Sequence, residues 1–195
     1  MQGWWVGSYL VLWALVIVLS LVVIALARQI GAMRGPLGSP TAIASDHEGP
    51  PLDEAARPVD LTDIRGVPVT VGAPGRRQLL LFVSPGCGVC EQVLPALPAF
   101  ARNGQLAPFV VTEVDRTEAE LSFGGHAGRV PVISAPELLA RLNIPATPYV
   151  VITDRLGVVR GKGPLTGIEQ LEDLIDEASA RVRGNERQRR LDGTL

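Results

Sequence analysis

The sequence predicts an α/β domain, with a central mixed sheet flanked by helices, that follows one N-terminal transmembrane helix. Three observations lead to this prediction. Residues 4–27 carry no charge and are mostly Leu, Val, Ile, Ala or Trp. Further along, apolar runs typical of strands alternate with segments of helical spacing. The two cysteines, Cys87 and Cys90, lie three residues apart, directly after one of the apolar runs.

Bulk composition excludes several classes of protein. The chain has 195 residues and a formal net charge of −2, so it is long enough for one domain with appendages. This charge gives no electrostatic reason to expect nucleic-acid binding. Two cysteines are too few for a disulfide-stapled scaffold, and His47 and His126 lack the spacing of metal ligands. No cofactor and no metal site are therefore predicted.

The N-terminal apolar segment is predicted to be a membrane anchor over residues 1–29. About twenty apolar residues span the hydrocarbon core as a helix, and aromatic residues gather at its N-terminal end, where an interfacial belt would lie. The small-x-small form of residues 25–27 leaves a cleaved signal peptide as the alternative. The segment has no basic n-region and is longer than a typical h-region, which favours a retained anchor.

Three further segments follow the anchor. Residues 30–57 are rich in glycine and proline, which predicts a flexible linker. Residues 58–183 form the predicted domain. Residues 184–195 are charged and are predicted to be a frayed tail.

Strands and helices alternate within the predicted domain. Strands are predicted at residues 67–71, 79–83, 108–114, 149–153 and 158–160, with a short extended piece at 130–133. A turn at residues 154–157 joins the last two strands as an antiparallel hairpin.

Three helices are predicted between and after these strands. The first follows the cysteines and is interrupted by Pro95 and Pro98. The second runs from Pro136 to Arg141 or Leu142, with Ser134 as its N-cap. The third is amphipathic and covers residues 167–183. Residues 118–129 are predicted to be a loop or a short helix.

The cysteine pair is placed for redox chemistry. Cys87 is predicted at a helix N-terminus, where backbone N–H groups and the helix dipole favour a thiolate, so we expect a lowered pKa and a reactive sulfur. Cys90 lies one turn further on the same face, within disulfide reach and more buried, as a resolving thiol requires. The alternative is two small buried hydrophobic residues.

Thr147 and Pro148 directly precede a predicted strand. Proline cannot donate to a strand ladder and often occupies a special turn there. In this context it indicates a cis Thr147–Pro148 bond that faces the dithiol. Such a bond leaves the Thr147 backbone free to pair with an incoming peptide and discourages metal binding by the thiolates. The alternative is a trans proline that begins the strand.

These motifs resemble the thioredoxin superfamily, in particular its membrane-anchored TlpA/ResA-like branch, over residues 58–180. Residues 81–90 (LFVSPGCGVC) and 147–149 (TPY) carry this resemblance. The anchor, the SPxCxxC form and the PxTPY segment are most similar to MauD, a family of methylamine-dehydrogenase accessory proteins. The sequence departs from relatives in having Gly88-Val89 without proline between the cysteines, and in having no tryptophan before Cys87.

The resemblance implies a function, a partner and a location. It makes Cys87 the attacking thiol, Cys90 the resolving thiol and Pro148 the cis proline, with Thr147 and Pro148 binding substrate. It implies a membrane-tethered thiol–disulfide oxidoreductase. The partner would be a protein thiol or disulfide, in this family the small subunit of methylamine dehydrogenase, with a redox donor of unknown identity. The domain would lie on the periplasmic side of the cell membrane.

Two observations leave alternatives open. Arg28 and Arg34 follow the helix and no arginine precedes it, so the positive-inside rule would place the domain in the cytoplasm. Ser84 lies three residues before Cys87, where peroxiredoxin-like thiol peroxidases have threonine, which makes a peroxidase the second hypothesis. A non-enzymatic assembly factor with a structural disulfide is the third.

Overall fold

A computed structural model describes residues 9–10, 12–19, 48–102 and 106–193. The chain divides into two compact units, Met1–Ala42 and Ile43–Leu195. In the first unit, residues 9–10 and 12–19 are helical. Within the described residues, no helix is both long enough and apolar enough to cross a membrane. The predicted anchor at residues 1–29 lies mostly outside the described residues.

The second unit is built on a five-stranded mixed sheet. Its strands are β3 (Gln78–Val83), β4 (Ala107–Thr112), β5 (Val132–Ser134), β6 (Tyr149–Thr153) and β7 (Val159–Pro164), in the spatial order β5-β4-β3-β6-β7. β3 pairs parallel to β4 and antiparallel to β6. All six residues of β3 are buried, as expected for a central strand covered on both faces. A separate antiparallel hairpin joins β1 (Val59–Thr62) and β2 (Pro68–Val71).

Helices cover both faces of the sheet, which confirms the predicted central mixed sheet flanked by helices. They are α1 (Gly88–Val93), α2 (Leu97–Arg102), α3 (Arg116–Phe123), α4 (Pro136–Arg141) and α5 (Ile168–Asp192). A 3-10 turn at Leu94–Ala96 separates α1 from α2. Pro95 lies at the start of this turn, so the predicted interruption of the first helix is confirmed.

Alternate residues of β3 point into two cores. Leu79, Leu81 and Val83 belong to the core beneath α1, α2, α3 and α5. Leu80 and Phe82 belong to the core beneath α4 and the β1–β2 hairpin. Helix α1 therefore lies on the first face of the sheet, where Cys90 and Val93 pack into this core.

Residues 48–57 pack against the domain, whereas their composition predicts that they belong to the flexible linker. The Asp53 N–H donates to the Val159 carbonyl at 2.9 Å, and Ala55 forms a β-bridge with Val158. The Val159 N–H donates in turn to the Glu54 carbonyl at 2.9 Å. These partners lie about a hundred positions apart in sequence, so a local pattern does not reveal the contacts.

Two further predictions are wrong. Ser134 is the last residue of β5, and Ala135 is the N-cap of α4. The Ser134 hydroxyl donates instead to the Val114 carbonyl at 2.6 Å. The predicted frayed tail is helical as far as Asp192. A single glycine at position 184 costs a helix only about 1 kcal/mol, and the Glu, Arg and Gln residues that follow are good helix formers.

Candidate active site

The first cysteine lies at the junction between β3 and α1. β3 ends at Val83, and the chain then turns through Gly86, which has a φ of +72°, a left-handed conformation that favours glycine. Cys87 is the N-cap of α1, with extended backbone angles. Its Sγ accepts a hydrogen bond from the Cys90 N–H at 3.1 Å. The prediction that Cys87 lies at a helix N-terminus is confirmed.

Cys87 and Cys90 form a disulfide, with their Cα atoms 5.2 Å apart. The two sulfurs differ in access. Cys87 is partly exposed, whereas Cys90 is only 1% exposed and belongs to the core beneath α1. A partner thiolate attacks one sulfur of a disulfide directly, so Cys87 is the sulfur that a protein partner can reach.

The Thr147–Pro148 segment lies beside the cysteine turn. In the antiparallel pair of β3 and β6, Phe82 is opposite Tyr149, which places Thr147 opposite Ser84. The two hydroxyl oxygens are 2.6 Å apart. The Thr147–Pro148 peptide bond is cis, as the sequence analysis predicts. The structure therefore brings all four predicted site residues to one end of β3.

The segments that form this site carry no charged side chains. Residues 83–90 and 142–148 contain only neutral residues, and the nearest acidic residue along α1 is the exposed Glu91. In the described part of the chain, no group of three or more His, Cys, Asp or Glu residues could hold a metal ion. The two segments that meet at this site therefore place no charge of their own beside the disulfide.

Ser84 is a site residue for which the sequence predicts no part in disulfide exchange. Its spacing from Cys87 suggests a counterpart of the peroxidase threonine. In the structure its hydroxyl bonds to Thr147, 63 positions away in sequence. The signal that could have found this contact is the antiparallel register of β3 and β6, extended by two residues beyond the paired strands.

Relatives of the chain share nearly its whole length. It is 32% identical over 183 residues to the methylamine utilization protein MauD of Methylobacillus flagellatus, which covers 90% of this chain and 87% of that protein. The chain belongs to the MauD family. It is also 28% identical over 180 residues to the MauD of Paracoccus denitrificans, with 90% of each covered. No protein-family profile matches the chain.

Solved structures have the same fold as this MauD-family chain. StoA from Bacillus subtilis aligns with a TM-score of 0.51 and 18% identity, covering 63% of this chain and 99% of StoA. The thioredoxin domain of a thiol-disulfide oxidoreductase from Bacteroides vulgatus aligns with a TM-score of 0.54 and 18% identity, covering 65% of this chain and 96% of that domain. At these identities the likeness establishes the fold alone, and this fold is thioredoxin-like.

Proposed function

We propose that this MauD-family chain is a thiol–disulfide oxidoreductase that exchanges disulfides with a protein partner through Cys87 and Cys90. The observation that carries the proposal is the unequal access to the two sulfurs. Cys87 is partly exposed at the start of α1, and Cys90 is buried in the core below it. This is the arrangement that an attacking thiol and a resolving thiol require.

The exchange proceeds in two balanced steps. In the reduced chain, the Cys87 thiolate attacks one sulfur of the partner's disulfide; that bond breaks, a mixed disulfide forms and the partner's other sulfur leaves as a thiolate. The Cys90 thiolate then attacks the Cys87 sulfur and releases the partner's remaining thiolate. Two electrons pass from the cysteine pair to the partner. Oxidation of a partner follows the reverse path, and the relative reduction potentials set the direction.

The proposed partner is the small subunit of methylamine dehydrogenase. The relatives are named as methylamine utilization proteins, and the resemblance of the anchor and motifs to that accessory family supports the assignment. A subunit whose disulfides must be made or kept would present extended segments to the cysteine pair. The uncharged segments 83–90 and 142–148 are compatible with such a partner.

The proposed location is the cell membrane, with residues 1–29 as a single-pass anchor and the domain outside the cytoplasm. The uncharged apolar run of residues 4–27 supports the anchor. Disulfides persist outside the cytoplasm and are rare within it, which supports the periplasmic side.

Trapping of a mixed disulfide tests the proposed function. In Cys90→Ser, the second step is blocked, so a covalent complex between Cys87 and its partner should accumulate in native membranes of cells that make methylamine dehydrogenase. Non-reducing gels followed by mass spectrometry would identify the trapped protein. Cys87→Ser is the matched control and should trap far less, because Cys90 is buried. If Cys90→Ser traps no protein through Cys87, the proposed exchange is wrong.

A further inference from the structure

We infer that Ser84 is a positioning residue for substrate binding: its hydroxyl holds the Thr147 side chain and so orients the Thr147 backbone that receives the partner's peptide. This inference rests on the proposed function and deepens it. Ser84 does not touch the reacting sulfurs in this role. It acts through Thr147.

The contact joins the two segments that form the site. Ser84 follows β3 directly and precedes Cys87 by three residues, whereas Thr147 lies two residues before β6. Their hydroxyl oxygens are 2.6 Å apart, a normal distance for a strong O–H···O hydrogen bond. Both side chains are only partly buried, so this bond forms at the surface that a partner approaches.

The Thr147 segment has few other restraints. It is tied at one side by the Ile144 N–H, which donates to the Leu139 carbonyl at 3.0 Å. At the other side the Pro148 carbonyl accepts from the Leu165 N–H at 3.0 Å. Across the described residues, no backbone hydrogen bond engages Ala146 or Thr147. The Ser84 hydroxyl is therefore the polar contact that fixes Thr147 between these two ties.

This arrangement restrains Thr147 while leaving its backbone available. A peptide that adds to the site as an extended strand needs a fixed N–H and carbonyl on the receiving residue. A loop held only through its own backbone would have no such groups to offer. Because the Ser84 bond uses the Thr147 side chain, the loop is ordered before the peptide arrives, which reduces the entropic cost of binding.

Loss of the Ser84 hydroxyl should slow exchange with a protein disulfide but not with a small dithiol. Full-length Ser84→Ala should reduce the disulfides of insulin about two- to tenfold more slowly than the wild type, the range expected for one neutral hydrogen bond. The effect should appear in KM rather than in kcat. Reduction of the Cys87–Cys90 disulfide by dithiothreitol should keep its wild-type rate, because that small reagent does not need the Thr147 backbone.

A mutant cycle tests whether Ser84 acts through Thr147. Thr147→Val removes the other hydroxyl of the same hydrogen bond. The double variant Ser84→Ala/Thr147→Val should therefore reduce insulin no more slowly than the slower single variant. Ser179→Ala is the matched control. It removes another half-buried serine hydroxyl, which bonds to Arg77 and Ile175 away from the site, and it should leave the insulin rate unchanged.

The possible outcomes separate this inference from the proposed function. If the wild type and Ser84→Ala reduce insulin equally well, the inference is overturned and the proposed function stands. Equal slowing toward insulin and dithiothreitol would also overturn it, because Ser84 would then act on the thiol chemistry itself. A wild-type chain that exchanges with neither reagent would overturn the proposed function together with the inference.

Discussion

Arg160 is buried in β7 between two carboxylates. Its Nε donates to Asp154 at 2.7 Å, and its Nη1 donates to Asp53. Burial lowers the pKa of Arg160, but the hydrogen bonds to Asp154 and Asp53 outweigh burial, and the pKa is raised. Asp154 also accepts from the Leu156 and Val158 N–H groups, so this carboxylate organises the turn between β6 and β7.

Replacement of Arg160 should therefore destabilise the fold strongly. Arg160→Met leaves Asp154 buried without its cation, which we expect to lower the free energy of unfolding by roughly 3 to 5 kcal/mol. Asp53→Asn is the control: the Asp53 side chain is 54% exposed, so its loss should cost less than about 1 kcal/mol. Urea unfolding of the two variants measures both changes. Equal losses of unfolding free energy in the two variants would mean that burial of the Arg160–Asp154 ion pair does not determine how strongly that pair stabilises the fold.

Tyr149 links the sheet to the start of the domain and gives stability a pH dependence. Its side chain is fully buried, and its hydroxyl donates to the Glu48 carbonyl at 3.2 Å. Burial first, and then the Glu48 carboxylate, raise the pKa of Tyr149 from 10.0 to about 12. The unfolded chain therefore loses this proton at a lower pH than the folded chain.

The Tyr149 contribution should be constant below pH 10 and lost between pH 10 and about 12. Each pKa unit corresponds to about 1.4 kcal/mol, so the loss over this window is roughly 2 to 3 kcal/mol. Denaturant unfolding across the window measures it against Tyr149→Phe, which lacks the titrating group. The chain has two tyrosines, so tyrosinate absorbance can follow the titration directly. Identical pH profiles for both chains would contradict the raised pKa.

At the scale of elements, residues 48–57 act as part of the domain. The Glu48 carbonyl accepts from both the Tyr149 hydroxyl and the Lys162 ammonium group. The Gly49 N–H donates to the Asn143 carbonyl at 2.9 Å. This segment thus joins β6, β7 and the end of α4, and it determines where the chain enters the domain.

Gly49 allows the close approach of this segment to Tyr149. It has a φ of +71°, and a Cβ there would lie 2.6 Å from the Tyr149 hydroxyl oxygen. Gly49→Ala should lower the free energy of unfolding by about 2 to 4 kcal/mol, the cost of left-handed backbone plus overpacking. Gly66→Ala is the control, because Gly66 has a φ of +85° with open space around it, so only the backbone cost of about 1 kcal/mol applies. Equal thermal midpoints would show that the segment moves freely away from Tyr149.

Some elements and contacts can be predicted from the sequence, and others cannot. β3 and β6 are continuous apolar runs buried on both faces, so their own composition identifies them. The cysteine pair was predictable because its motif lies between a strand and a helix. The role of the Glu48 carbonyl was not predictable, because its partner Lys162 lies 114 positions away. The Ser84–Thr147 contact likewise depends on strand register, which a local pattern does not contain.

For the molecule as a whole, the orientation of the proposed anchor at residues 1–29 would decide which partners the dithiol can meet. Thiols are kept reduced in the cytoplasm, whereas disulfides form and persist outside it. Arg28 and Arg34 favour a cytoplasmic domain by the positive-inside rule. The proposed exchange with a periplasmic subunit requires the opposite orientation. Two arginines are a small bias, and later chain segments can outweigh it.

Fusions at the C-terminus distinguish the two orientations. We expect full-length chains fused to alkaline phosphatase to be active, because that reporter needs disulfides that form only outside the cytoplasm. Fusion to a reporter that works only in the cytoplasm should be inactive. Arg28→Gln combined with Arg34→Gln provides the control: it removes the opposing charge, so phosphatase activity should stay the same or rise. An inactive phosphatase fusion with an active cytoplasmic reporter would place Cys87 and Cys90 in a reducing compartment, where the methylamine dehydrogenase subunit could not be their partner.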